Sequence, residues 1–265
     1  LCLAIFDLFV GVSNDAVNFL NSAIGAKVAK FRTVLIVASA GVAIGAVMSS
    51  GMMDVARHGI MQPSNFSFYD VMTIFLAVMV TDVIILDIFN SLGMPTSTTV
   101  SLVFELLGGT FILAAIKIVG DPSLSFGDLL NTDKALSVIV AIFVSVAIAF
   151  VFGIVVQWLS RIVFTFNYRK HSRWSIAIFG GIAFTALSYF IFLKGMGKSR
   201  FIAEDTRMWI ENNISALIVY TFIGSTIIME VIHLLKVNVF KFIVLMGTFA
   251  LAMAFAGNDL VNFIG

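Results

Sequence analysis

Residues 11–18 read GVSNDAVN and residues 257–262 read GNDLVN, each inside a stretch that is otherwise almost continuously apolar. The two Asn-Asp-x-x-Asn sets begin 244 residues apart, at Asn14 and Asn258. In each, the two asparagines are four apart and share a helix face, and the aspartate lies three before the second asparagine. Asp15 and Asp259, with freed backbone carbonyls, suit a hard cation such as Na⁺. The amides of Asn14, Asn18, Asn258 and Asn262 offer both donors and acceptors. The plainer alternative is that these amides only join neighbouring helices.

A second polar island is PTSTT, Pro95 to Thr99. Pro95 suits a hairpin tip or the first position of a helix. The hydroxyls of Ser97, Thr98 and Thr99, with the free N–H groups of a helix starting there, can cradle an oxyanion. An ordinary helix cap with a turn is the alternative. A third group is the set of acids in apolar surroundings, Asp54, Asp82, Asp87, Glu105 and Glu230. Each is costly if it faces lipid. Asp54 lies three before Arg57 and can pair with it locally, whereas Asp82 falls near mid-span and is a candidate proton or cation site.

These residues need a scaffold, and composition says which. Of 265 residues, 60% are hydrophobic and 12% charged, against roughly a quarter charged in an average soluble domain. Mean hydropathy is +1.07. Apolar stretches near 33–53, 71–92, 135–159, 175–193, 214–235 and 242–256 mostly approach the ~20 residues a bilayer-crossing helix needs, and 101–118 is a further apolar segment. The fold class expected is an all-α polytopic membrane protein in a lipid bilayer. A net charge of +1 provides no basic surface for nucleic acid. Cys2 is the single cysteine, which excludes an internal disulfide. His58, His171 and His233 show no ligand spacing, so no cofactor and no metal beyond a bound cation is expected.

Counting crossings puts loops 27–32, 161–173 and 236–241 on one side, with nine basic residues against seven on the other. The positive-inside rule makes that side cytoplasmic, with the cell membrane as the expected location. The Asn-Asp motif is then presented in two opposite orientations, the signature of an inverted-topology repeat. Residues 1–240 are expected to hold the first repeat with connecting helices, and 241–265 the truncated start of the second. Asn and Asp clustered at 13–22 should break the helix there, since their side chains compete for local backbone groups. Residues 71–118 form either two spans or a re-entrant hairpin. The polar link 194–213 is the best surface segment. Opening on Leu1 and stopping at Gly265, the chain reads as a fragment.

GVSNDAVN, VMSSGMMDVARHGI at 47–60, LGMPTSTT at 92–99 and GNDLVN together resemble the signatures of PiT-type inorganic phosphate transporters. That family carries a Gly-Ala-Asn-Asp-Val-Ala-Asn type motif and a Pro-Val-Ser-Thr-Thr-His motif once in each of two inverted repeats with broken helices. The resemblance implies secondary transport of inorganic phosphate coupled to Na⁺ or H⁺, and a homodimer is carried as an expectation. It assigns phosphate binding to Asn14, Ser97, Thr98, Thr99 and Asn258. Cation binding falls to Asp15, Asn18, Asp259 and Asn262, and Asp54 matches an acidic position important in the family; Asp82, from its mid-span position and not from the resemblance, is carried as a possible coupling residue. Val100 departs from the family's usual His, and Ser13 from its usual Ala. Asp82 and Glu105 are acidic where apolar or neutral residues are expected. The alternatives weighed are another oxyanion such as sulfate, an intramembrane aspartyl protease using Asp15 and Asp259, and a purely structural membrane subunit. The protease lacks its Gly-x-Gly-Asp motif here.

Overall fold

A computed structural model describes residues 2–48, 65–164, 173–191 and 203–258. Among these residues there are helices and no strand. The chain divides into two compact units, each described by itself.

The first unit takes residues 1–15, 52–165 and 262–265. It receives the first part of α1 (Cys2–Gly25), then α3 (Phe68–Leu92), α4 (Thr98–Gly120), the short α5 (Phe126–Leu129) and α6 (Thr132–Phe164). Ser67 and Asp70 start α3 with a reciprocal cap: the Asp70 N–H donates to Ser67 Oγ, and the Ser67 N–H donates to Asp70 Oδ2. Gly93 ends it in the left-handed region at φ 68°, which a glycine adopts without strain. The Gly93 N–H donates to the Asn90 carbonyl and the Met94 N–H to that of Phe89. Pro95 cannot continue that helix. Ser97 then caps α4, its Oγ accepting from the Val100 N–H at 3.4 Å.

The resulting α3–α4 hairpin packs Ile74 and Val78 against Val103, Leu106 and Ala114, with Leu129 and Leu130 buried in the same cluster. At the end remote from the turn, Lys117 Nζ lies 2.7 Å from Asp70 Oδ2 and over the Phe66 ring. In α5, the Ser125 hydroxyl and then its N–H donate to the exposed Asp128 carboxylate, holding it below the usual carboxylate range. α6 has 33 residues, so it is about 50 Å long, more than a ~30 Å hydrocarbon core requires. Its large apolar side chains are exposed along nearly the whole length, as lipid contact demands.

The second unit takes residues 16–51 and 166–261. It holds the rest of α1, α2 (Phe31–Met48), α7 (Arg173–Tyr189), α8 (Glu204–Asn212), α9 (Ile214–Leu234) and α10 (Val239–Asn258). Gly41 and Gly45 on α2 let α10 approach closely: a Cβ at Gly41 would lie 2.5 Å from the Phe249 carbonyl oxygen. A Cβ at Gly45 would overlap the Met253 carbonyl oxygen. Small residues four apart are how helices pack tightly where lipid removes the hydrophobic drive between them. Gly45→Val is expected to destabilise the protein by roughly 1–3 kcal/mol through overpacking. Thermal unfolding in detergent, with wild-type melting as the contrary result, checks this.

On α7, Gly180 and Gly181 play the same part against Met229 and Thr226 of α9. Thr185 and Ser225 share a buried hydrogen bond of 3.0 Å between those helices. Lys27 and Lys236 lie just beyond α1 and α9 in the left-handed region, at φ 49° and 60°. A cation there also meets the negative end of the helix dipole.

Among the described residues, six helices are long and apolar enough to cross a membrane: α1, α3, α4, α6, α9 and α10. α2 and α7 are shorter apolar helices. The protein is a multi-pass, all-α membrane protein. Within the expected polar link 194–213, residues 204–212 are helical as α8.

One expectation is corrected. α1 runs unbroken from Cys2 to Gly25, straight through Ser13, Asn14, Asp15, Asn18, Asn21 and Ser22. Asn14 breaks a helix only when its side chain turns to its own backbone. Here its amide is engaged by residues 76–82 positions away.

Candidate functional site

Asn14 is 2% exposed, and its amide is used on both sides. Its Nδ2 donates to Asn90 Oδ1 at 2.9 Å and to the Met94 carbonyl at 3.2 Å. Its Oδ1 accepts from the Thr96 N–H at 2.7 Å. Asn90 Nδ2 in turn donates to the Val10 carbonyl of α1 at 3.1 Å. Next in the chain, buried Asp15 accepts at Oδ2 from Thr98 Oγ1 at 2.9 Å. The first polar island is thus fastened to the second. Adjacent residues of α1 grip both the entry to the 93–97 turn and the first residue of α4.

Local chemistry explains the placement. Gly93 and Pro95 force the chain out of α3 and leave the Met94 carbonyl and Thr96 N–H without helical partners. Buried peptide groups of this kind need partners, and the Asn14 amide presents one donor and one acceptor at the right height. A broken backbone at membrane depth is tolerated only where protein buries it or where it lines a watery cavity. The site is therefore a junction of a carboxylate, a hydroxyl, two amides and a helix N-terminus, with no lysine or arginine in either island. Such a set can ligate a cation through oxygens and meet an anion with N–H groups.

Ser97 is exposed and Thr99 half-buried beside fully buried Thr98. The three hydroxyls do not form one cradle, because the Thr98 hydroxyl is donated to Asp15 and the Ser97 oxygen caps its own helix. The cap reading thus holds for Ser97. Pro95 sits in the turn rather than at the helix start, which belongs to Thr98. Asn18, one turn beyond Asn14 on α1, is exposed, so four-residue spacing does not bring the two amides into one environment. Asp82 is 1% exposed and lies in reach of Asp7, Ser101 and Glu105. Asp87 is exposed. Asp54, Asp259 and Asn262 lie outside the described residues, as does the side chain of Asn258, the last residue of α10.

Two site residues escape the sequence reading, Asn90 and Asp7. Each had a signal: Asn90 is a polar residue in an apolar span three before the terminating Gly93, and Asp7 a carboxylate in the run AIFDLF.

The family model of the phosphate transporter family matches residues 11–265. The chain belongs to the phosphate transporter family. Among relatives, it is 25% identical over 265 residues to "Putative phosphate permease PF1020" of Pyrococcus furiosus, covering 96% of this chain and 60% of that protein. A solved structure described as "The sodium-dependent phosphate transporter" aligns with 99% of this chain and 66% of its own, with a TM-score of 0.70 and 20% identity. That likeness speaks for the fold. The chain spans about 60% of the length of the curated relative it matches. Members of this phosphate transporter family are transporters, not enzymes, which removes the protease alternative.

Proposed function

We propose that this chain is the ion-coupled, phosphate-handling part of a secondary transporter for inorganic phosphate. The observation that carries the reading is the bonding of Asn14 and Asp15 to the Met94–Thr98 turn. Two motifs some 80 residues apart meet at one point, and that point has a carboxylate next to a helix N-terminus. Asp15 supplies the negative charge for the coupling cation, with the Thr98 hydroxyl oxygen beside it. Ser97 and Thr99 line the anion side, in company with the N–H groups at the start of α4, while the Asn14 amide holds the turn that presents them. With no basic side chain in either island, the phosphate charge is balanced by co-bound cations, so each ligand strengthens the other by the same factor. Asn18, Asn258, Asp259 and Asn262 stay cation-site candidates on the motif pattern alone, the last three at the start of a second repeat near residue 241. Loops 27–32, 161–173 and 236–241 face the cytoplasm in this reading. Na⁺ is the first coupling ion to test, because the structural relative is described as sodium-dependent.

The test is uptake of labelled phosphate into liposomes holding the full-length protein, under inward Na⁺ or inward proton gradients. The expected result is saturable uptake driven by at least one gradient and unaffected by excess sulfate. Sulfate uptake without phosphate uptake, or phosphate entry indifferent to both gradients, would overturn it. Thr98→Val keeps the shape at the helix start and deletes the donor to Asp15. A hydrogen bond to a charged group is worth about 1.5–3 kcal/mol, so cation affinity is expected to change by roughly one to two orders of magnitude. By reciprocity phosphate affinity shifts with it, measured across a cation series.

A further inference from the structure

Three carboxyl groups of the first unit stand outside the cluster around Asn14. Asp7 is on α1, Asp82 is in the middle of α3, and Glu105 is in the second turn of α4. Asp7 and Asp82 are 4% and 1% exposed. Their carboxyls adjoin, and Asp82 also reaches Glu105 and Ser101. The Ser101 hydroxyl donates to Glu105 Oε1 at 2.8 Å. Oxygens are nevertheless left over: Asp7 Oδ1, Asp82 Oδ1 and Glu105 Oε2 are all buried with no hydrogen-bond partner. A buried acceptor without a donor is costly, and three in one place call for something that supplies donors.

Among the described residues, no basic side chain does so. On α4, Lys117 is about three turns beyond Glu105 and is bound to Asp70 and the Asn65 carbonyl. On α1, Asp15 is two turns from Asp7 and is held by Thr98, while Cys2 is exposed. On α3, Asp70 is at the far end and Asp87 is exposed. On α6, Asp133, Lys134 and Arg161 are exposed near the helix ends. Among the described residues, no three His, Cys, Asp or Glu side chains have an arrangement that could hold a metal ion. A proton remains. Three adjoining buried carboxyls without a cation cannot all be ionised, and each one that keeps its proton becomes an O–H donor to a neighbour's orphaned oxygen.

We propose that Asp7, Asp82 and Glu105 form a shared proton-binding site, separate from the Asn14–Asp15–Thr98 junction, whose occupancy is coupled to transport. The proton moves only between carboxyl oxygens of the trio and water, with no other bond made or broken. The coupling half rests on the transport reading, and the proton-binding half stands without it.

Two measurements on the full-length protein in liposomes test it. Infrared difference spectra between acid and alkaline pH should show the carbonyl stretch of a buried protonated carboxyl, shifting in heavy water. That band should be lost or displaced in Asp82→Asn, and in Glu105→Gln should Asp82→Asn fail to fold. Phosphate uptake driven by an inward proton gradient at constant Na⁺ should fall by a factor in the range of roughly 5–150 in either folded variant. No titrating band in the wild type would overturn the site. So would a band abolished by Na⁺ at fixed pH, which would make the trio a sodium site. Wild-type dependence on the proton gradient in both variants would overturn the coupling. If the wild type moves no phosphate under any gradient, the transport reading fails, while the titrating band still supports the proton site.

Discussion

Asp15→Asn in the full-length protein is expected to abolish cation-driven phosphate uptake while membrane insertion and folding stay intact. The side chain is 4% exposed and accepts the Thr98 hydroxyl at 2.9 Å. An asparagine is nearly isosteric, and its Oδ1 can accept the same hydroxyl, so the junction of α1 with α4 survives. What disappears is the negative charge, the only one within either polar island. A cation held by neutral oxygens alone binds too weakly to balance phosphate, and without it the anion meets a site with no compensating charge. Losing even one charge-assisted contact costs about 1.5–3 kcal/mol, and here both ligands lose through their coupling. The readout is gradient-driven uptake, with size-exclusion behaviour in detergent as the folding control. Uptake at wild-type rate with unchanged ion dependence would show that Asp15 serves only to hold the helix start.

Asn14→Leu should damage stability as well as transport. Leucine has the branched outline of asparagine but none of its polarity. The substitution removes hydrogen bonds of 2.9 Å to Asn90, 3.2 Å to the Met94 carbonyl and 2.7 Å from the Thr96 N–H. The turn from residue 93 to 97 is stopped at both ends by Gly93 and Ser97, so it cannot fold into a helix to recover these bonds. Orphaned groups at this depth cost about 1–3 kcal/mol each, so with three of them a loss of about 3 kcal/mol or more is expected. In detergent this appears as a lower melting temperature and faster proteolysis near the turn. Ser13→Ala is the matching control: Ser13 is exposed and only bonds back to the Phe9 carbonyl, so its loss should stay within about 0.5 kcal/mol. Equal melting of Asn14→Leu and Ser13→Ala would show that the junction carries no stability.

Much of the site was legible because its residues are anomalies. An Asn-Asp pair amid apolar residues stands out on hydropathy alone, and so does a run of hydroxyls after a proline. That the Thr98 hydroxyl is the one donated to Asp15 while the Ser97 oxygen caps its own helix was not legible. Which hydroxyl of a consecutive run meets a residue of another helix depends on how the two helices pack. Asn90 and Asp7 were passed over for a related reason. Each sits in a mostly apolar run without a motif around it, and its meaning lies in what it faces. Asn90 faces Asn14, and Asp7 faces Asp82.

By itself the sequence determined the class of the molecule, the approximate limits of its spanning helices, and which polar islands are out of place in a bilayer. These follow from transfer free energies that sum along the chain and need no knowledge of neighbours. Turn chemistry is similarly local, so Gly93 and Pro95 end α3 wherever that helix lies. Tertiary structure decided whether Asn14 and Asp15 would break α1 or pass through it. A polar side chain in a helix bonds its own backbone when nothing else is offered, and leaves it alone when a better partner is across the way. The Met94 carbonyl, the Thr96 N–H and the Thr98 hydroxyl are those partners, so α1 continues and the two islands become one site.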